Sequence, residues 1–364
     1  MRVLFAVADG GGNIPPQLAV ARALRARGAE VEFIGHAAVR RKVEADGFPF
    51  ESFRTGRQME ATTQRPLLAL TADFARTAMD RAIGRDVVAA AQRLQTDVVV
   101  VDMLFPAAIT EVAAHRQTVV FVHCFYRAAQ DLAAGPMGRL LWVRGIDPLA
   151  AERSGALQIV SARADLDPIL GAPDVRHVGV VWQGAPVAST PQRVPRILVS
   201  LSTCAFAGQR QMLQNIVDAL APLAVEAIVT AGPGIDTTGL RLPDNTSIHA
   251  WLDHDEVLAT TSLVVGHGGH GTSMRALSFG VPLVIMPANA LIDQKRVGAV
   301  IQQHGAGLLL HKHSRPARIR AAIDTVLTDP AYRESAGRLG DRIRERDGAQ
   351  VAADAISELA GAQT

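Results

Sequence analysis

Cysteine is scarce in this chain of 364 residues, with only Cys124 and Cys204 present. They lie far apart and match no metal-ligand spacing, so they read as two buried, reduced thiols and no metal is expected. Lysine is nearly as scarce: Lys42, Lys295 and Lys312 are the only three, and a formal net charge of +2 gathers no block of either sign. That balance excludes a polybasic surface for nucleic acid or anionic lipid. No apolar run approaches the roughly 18 residues of a membrane span, so no membrane partner is expected. The opening run Val3–Val7 is one strand long and passes into glycines without a cleavage site. It reads as a first β-strand rather than a secretion signal, and a cytoplasmic location is expected.

What the chain does have is apolar content, 48 % against 20 % charged, and a length that suits two α/β domains. Short apolar runs alternate with amphipathic stretches, the pattern of repeated βα units around a parallel sheet. Val3–Val7, Val31–Ile34, Asp97–Val101 and Thr118–Val122 read as strands, the last two apolar enough to be buried on both faces. Pro15–Arg27, Ala37–Asp46 and Pro106–His115 read as helices, and a loop over Phe53–Pro66 leads to one long helix across Ala69–Leu94. A second series runs through Ile197–Leu201, Ala227–Thr230, Leu263–Gly266 and Leu283–Met286 and ends in a polar helical segment from about Ser335 to Ala360. The expected fold is two Rossmann-like α/β domains facing a cleft. Residues 1–183 form the first, the Pro-rich stretch 184–195 a linker, and 196–364 the second, with the last helix free to pack back on the first. Ligands of such sheets collect at the carboxyl ends of the strands.

The stretch Leu263–Gln294 carries the most chemistry. Gly268, Gly269 and Gly271 remove the Cβ atoms that would hold a ligand away from the backbone, and Thr272 and Ser273 then open a helix. The free N–H groups and positive end of such a helix suit a diphosphate, and His267 just before the turn can add a donor or a positive charge. The order His267-Gly268-Gly269, Thr272, Ala276-Leu277, Gly280-Val281-Pro282, Pro287, Asp293-Gln294 resembles the donor-site signature of the family 1 glycosyltransferases of GT-B fold. Three further pieces agree with it: Ser200-Leu201-Ser202-Thr203, Thr230-Ala231-Gly232 and Trp251-Leu252-Asp253-His254.

The resemblance covers roughly residues 175–310. It implies a donor site that includes Ser202 (where Gly is usual), Gly232 and Gly271, with Thr203, His267, Gly268, Gly269 and Thr272 receiving the diphosphate. It places the base against Trp251 and Leu252, and the sugar hydroxyls on Asp293 and Gln294. Arg275 departs from the pattern where Glu is usual and removes an acceptor for a ribose hydroxyl; Val297 stands where Asn is usual. Asp253-His254-Asp255 could pass for a metal-binding pair, but it sits in the Trp turn, where an Asp caps the next helix. A nicotinamide site fits poorly, because Gly10-Gly11-Gly12 lacks the required spacing and the second strand ends at Gly35-His36 without an acidic residue.

In the first half the family carries Gly-His-x-x-Pro after the first strand, its His acting as general base beside a carboxylate. Here Gly12 and Pro16 match, but Asn13 occupies the base position and cannot take a proton; Asp102 matches the carboxylate and is expected to point into the cleft. Three consequences stay open: Asp102 is itself the base, the acceptor needs little deprotonation, or catalysis has been lost. His123 at the next strand end is a substitute base, with a strand-end core His as the plainer account. Phe105 and Phe125 are expected to line an apolar acceptor pocket beside Gly12.

The resemblance implies an inverting, metal-independent transfer from a dTDP- or UDP-sugar to a small hydrophobic natural product, as in antibiotic biosynthesis. The sugar nucleotide is a co-substrate, no further cofactor is needed, and a homodimer is left open. The alternatives are a catalytically inactive activator of a partner glycosyltransferase and a sugar-nucleotide epimerase. The latter does not account for the Trp turn and the Asp-Gln pair together.

Overall fold

The computed structural model describes residues 1–63, 66–169, 175–182, 184–289 and 293–362. The chain divides into two compact units. One comprises Met1–Ala61, Leu68–Gln183 and Asp347–Thr364; the other comprises Gly184–Arg346 with the short segment Thr62–Leu67.

The first unit is built on a parallel sheet of seven strands: β1 (Arg2–Val7), β2 (Glu30–Gly35), β3 (Phe50–Ser52), β4 (Val98–Asp102), β5 (Thr118–Val122), β6 (Leu157–Val160) and β7 (Val175–His177). Their order is β3-β2-β1-β4-β5-β6-β7, so the winding reverses between β1 and β4. That reversal opens a crevice at the carboxyl ends of these two strands. Every residue of β4 and β5 is buried, as runs of Val and Phe covered on both faces require.

On one face Phe5, Phe33, Val98, Val100 and Phe121 pack against Leu18 and Leu24 of the helix Ile14–Ala26 and against Ala352 and Ile356 of the last helix. Each such side chain, fully buried, contributes about 1.5–3 kcal/mol. The last helix, Gly348–Gly361, therefore belongs to the first unit, and the second unit ends at Arg346 instead of running to 364. A Cβ on Gly348 would lie 2.5 Å from the Val180 carbonyl oxygen, and Arg27 pairs with Asp354 at 2.6 Å.

The second unit repeats the design with six parallel strands: β8 (Arg196–Ser200), β9 (Glu226–Thr230), β10 (Thr246–His249), β11 (Leu263–Gly266), β12 (Leu283–Ile285) and β13 (Gly307–Leu309). The order β10-β9-β8-β11-β12-β13 reverses between β8 and β11. The stretch 184–195, expected as a linker, lies within this unit and is held to it at Ser189. The Ser189 N–H donates to Phe279 O at 2.8 Å, its hydroxyl to Thr261 O at 2.7 Å, and Arg333 donates to Ser189 O at 2.7 Å.

Two expected helices are each broken in two. Leu67–Ala78 and Arg81–Leu94 replace one helix because Asp80 accepts from Ala82 N and starts a new one. Pro330–Arg344 and Gly348–Gly361 are divided the same way by Asp347, which accepts from Ala349 N and Gln350 N. A carboxylate that satisfies the first N–H groups of a helix defines its start more sharply than apolar periodicity does. The helix expected over 37–46 is a 3₁₀ turn, Ala37–Val39, followed by a short α-helix, Arg40–Ala45. Of the loop expected over 53–66, residues 64–65 lie outside the described residues.

Candidate active site

Each reversal point gathers the polar residues of its own unit. At the second, β11 ends at Gly266 and the chain turns through His267, Gly268 and Gly269 into the helix His270–Ser278. Gly268 has φ +82°, and a Cβ there would lie 2.7 Å from Gln294 O, so both backbone sterics and packing demand glycine. A Cβ on Gly269 would lie 2.4 Å from His267 Nε2: the imidazole rests on the bare backbone. A Cβ on Gly271 would meet nothing within 4 Å, so the protein itself does not require glycine there. The helix begins at His270, earlier than expected, which makes Thr272 its third residue. Its N-cap is Gly269, which has no side chain to offer, and the first-turn N–H groups of an α-helix have no place in its own ladder.

His267 is buried, and burial pushes its imidazole down to about 4, so near neutral pH the ring carries no charge. Of the donor or positive charge expected of His267, burial disfavours the charge. Its Nδ1 lies 3.4 Å from Ser200 O at the end of β8; against a carbonyl that nitrogen can only donate. A neutral ring then presents a bare Nε2, which becomes a donor only by taking up a proton.

Beside it, Ser202 accepts from Cys204 N at 3.1 Å and donates its own N–H to Gln209 Oε1 at 3.1 Å, which shapes the loop carrying Thr203. Gly232 packs under that loop, its would-be Cβ 3.2 Å from Thr203 Cα. Trp251 is 78 % exposed at the end of β10, with Leu252 half-buried next to it. Asp253 accepts from Asp255 N and caps the following helix, while Asp255 accepts from Arg275 Nε at 2.5 Å. Gln294 is buried and its Oε1 accepts from Asn289 N at 2.9 Å, so its carbonyl is committed to the protein; Asp293 precedes it at the helix start.

At the first reversal point Asp102, expected to point into the cleft, ends β4 in full burial. Its Oδ2 accepts from Asn13 Nδ2 at 2.5 Å and from Gln17 Nε2 at 2.8 Å, and its Oδ1 from Leu104 N at 3.0 Å. Asn13 is itself locked: Nδ2 also donates to Ala8 O at 2.9 Å, and Oδ1 accepts from Gly10 N at 3.0 Å. Gly12 beside it is unhindered, with nothing within 4 Å of a would-be Cβ. His123, just past β5, brings Nδ1 to 3.7 Å from Asp102 Oδ1 and has its side chain 19 % exposed. Gln17, one turn beyond Asn13, is the member of this cluster that sequence spacing did not single out.

Phe105 and Phe125 do not line a pocket: both are fully buried. Each stands at the start of a helix directly after a strand end, where the ring turns into the core. Phe105 packs edge-on between His36 and Phe53, with centroids 5.5 and 5.6 Å away. Burial also drives His36 down to about 4; its Nδ1 accepts from Asp9 N at 2.9 Å.

Among the described residues no group of three or more His, Cys, Asp or Glu side chains could hold a metal ion, and no helix is long and apolar enough to cross a membrane.

Two parallel α/β units, each with its polar residues at a winding reversal, define the GT-B class of fold. Solved structures agree. The calicheamicin glycosyltransferase CalG4 superposes with a TM-score of 0.76 at 24 % identity over 99 % of this chain and 98 % of its own. The glycosyltransferase VinC in complex with dTDP gives 0.76 at 20 % over the whole of both chains. Residues 214–358 match the erythromycin biosynthesis protein CIII-like C-terminal domain. In sequence the chain is 27 % identical to 4'-demethylrebeccamycin synthase of Lentzea aerocolonigenes over 98 % of this chain and 99 % of that one. It is 28 % identical to the elloramycin glycosyltransferase ElmGT of Streptomyces olivaceus over 94 % of each. The chain thus has the GT-B fold and is similar along its length to glycosyltransferases of natural-product type.

Proposed function

We propose that the protein transfers a sugar from a dTDP- or UDP-sugar to a small hydrophobic natural product in a single inverting displacement without a metal ion. The observation that carries this reading is the β11 turn: a glycine at φ +82°, an imidazole lying on bare backbone, and a helix start whose N-cap is glycine, all beside the end of β8. Helix N–H groups and the local dipole stabilise a leaving diphosphate as a cation does elsewhere. His267, Gly268, Gly269, Gly271, Thr272, Ser202, Thr203 and Gly232 take the diphosphate in this reading. Trp251 and Leu252 take the base, and Asp293 with Gln294 takes the sugar. The first unit receives the acceptor, with Gly12 beside it. VinC, crystallised with dTDP, supports the choice of nucleotide, and the named full-length relatives support a natural-product acceptor.

The test is titration of the purified protein with dTDP and UDP, with and without EDTA, followed by the same titration of His267→Ala. Binding unaffected by chelator and weakened at least tenfold in the variant is expected. Equal affinity in the variant moves the diphosphate elsewhere and sinks the reading.

A further inference from the structure

Resting on that reading, we propose that His123 is the base that deprotonates the acceptor, oriented by Asp102, and that Asn13 and Gln17 form an amide clamp holding Asp102 for this task. A general base needs an accessible lone pair. Asp102 has none to offer directly, since it is fully buried with both oxygens already accepting. Asn13 is an amide with both ends committed. His36 accepts from the Asp9 N–H through Nδ1, so a neutral ring carries its proton on Nε2 and has no lone pair left to give. Asp9 is buried, with Oδ2 accepting from Ala61 N at 2.9 Å. His123 remains, with one edge of its ring open.

Its placement follows from register. Asp102 is paired with Phe121 on the adjacent parallel strand, and His123 lies two residues beyond, on the same side of the sheet. Nδ1 of His123 is buried, has no hydrogen-bond partner, and faces Asp102 Oδ1 at 3.7 Å. That distance exceeds a hydrogen bond, but Oδ1 accepts only the Leu104 N–H and keeps a second lone pair, so a small ring rotation satisfies both atoms. Catalytic hydrogen bonds commonly tighten in this way when the complex forms. A proton fixed on Nδ1 leaves the Nε2 lone pair at the open edge.

The two amides explain the substitution at position 13. By occupying Oδ2 from one side they leave only Oδ1 for the imidazole, so the base is supplied from β5 instead of from the loop after β1. As the acceptor atom bonds to the anomeric carbon, its proton passes to His123 Nε2. The carbon–oxygen bond to the diphosphate breaks with its electron pair leaving on the phosphate oxygen. Asp102 balances the imidazolium, which then returns its proton to water.

The experiment compares wild type with His123→Ala, Asp102→Asn and Gln17→Leu in dTDP release from dTDP-glucose, with water or 4-nitrophenol as acceptor, together with dTDP affinity. His123→Ala is expected to lower kcat by about 10²–10⁴-fold, with the KM for dTDP-glucose and the affinity for dTDP unchanged. The two positioning variants fall by smaller factors. Nitrogen-15 NMR of His123 gives a second measurement that needs no turnover. It is expected to show the Nδ1–H form in wild type and a mixture of tautomers in Asp102→Asn.

Turnover of His123→Ala within a few-fold of wild type, or an Nε2–H form of His123 in wild type, overturns the proposal. A wild type that binds dTDP but releases none from dTDP-glucose also overturns it, and leaves the donor site standing. Failure to bind dTDP at all counts against the parent reading instead, and the tautomer still decides the His123–Asp102 pair.

Discussion

Acidification should destabilise the second unit through His267, and the size of the effect follows from burial. The ring holds a proton at 6.5 when unfolded and only at about 4 when folded. The neutral ring's contribution is therefore complete above 6.5 and is lost as the pH falls towards 4, the window in which the unfolded chain binds the extra proton. Between pH 7 and pH 5 this one side chain should cost about 2 kcal/mol by linkage.

The first unit complicates a measurement on wild type alone. His36, also near 4, acts in the same direction. Buried Glu152, raised to about 7, acts in the opposite one, because its unfolded form releases a proton from 4.5 upward while the folded form keeps it. The difference between wild type and His267→Gln isolates the term. Urea unfolding of both at pH 7 and pH 5, followed by hydrogen exchange at the amides of β8 and β11, should show the variant losing about 2 kcal/mol less. Parallel losses would refute the argument that burial alone keeps this imidazole neutral.

Gly268→Ala should lower stability by about 1–2 kcal/mol for the left-handed backbone alone, before any clash with Gln294 O. Gly271→Ala should be neutral or add up to about 1 kcal/mol, since it lies in a helix with open space around it; thermal melts compare the two. Trp251→Ala should leave the melting temperature unchanged, because the ring is 78 % exposed. It should weaken dTDP by the about 1–3 kcal/mol of a stacked base, and calorimetry showing no change would place the base elsewhere. Phe105→Ala should cost about 3–5 kcal/mol of stability, as a core aromatic does. A variant that melts like wild type but loses acceptor affinity would restore the ring to the acceptor pocket.

The donor half was the more legible in sequence because its features are local. His267, Gly268 and Gly269 are consecutive, and glycine spacing reports a backbone conformation directly. The strands that were recognised were apolar runs. Those that were missed, β3, β6, β7, β10 and β13, have only three or four residues each, too few to show a period. The helix breaks at Asp80 and Asp347 were hidden by continuous amphipathic pattern, although each cap is an ordinary Asp signal. The first unit's cluster was only half legible. Asn13 and Asp102 stood out against a motif, but Gln17 joins them through a carboxylate 85 positions away, and no spacing rule spans that distance. Phe105 and Phe125 were misplaced because composition cannot tell a ring beneath a helix start from one beside it.

The two departures from the family pattern share a physical feature. Asn13 removes a titratable ring beside Asp102, and its amide, with that of Gln17, then binds the carboxylate that the ring would have met. Arg275 introduces a cation near the Trp turn, where it meets Asp255 at 2.5 Å and lies 3.9 Å from Asp253. A lone guanidinium in a half-buried position would bias the site towards extra negative charge on the ligand. Paired with Asp255 it instead ties the helix after the glycine turn to the element that presents Trp251. Unpaired polar groups are expensive at such depth, so a replacement that remains in a working fold needs a partner already in reach. Both positions have one, so each departure is accommodated without leaving a charge unpaired.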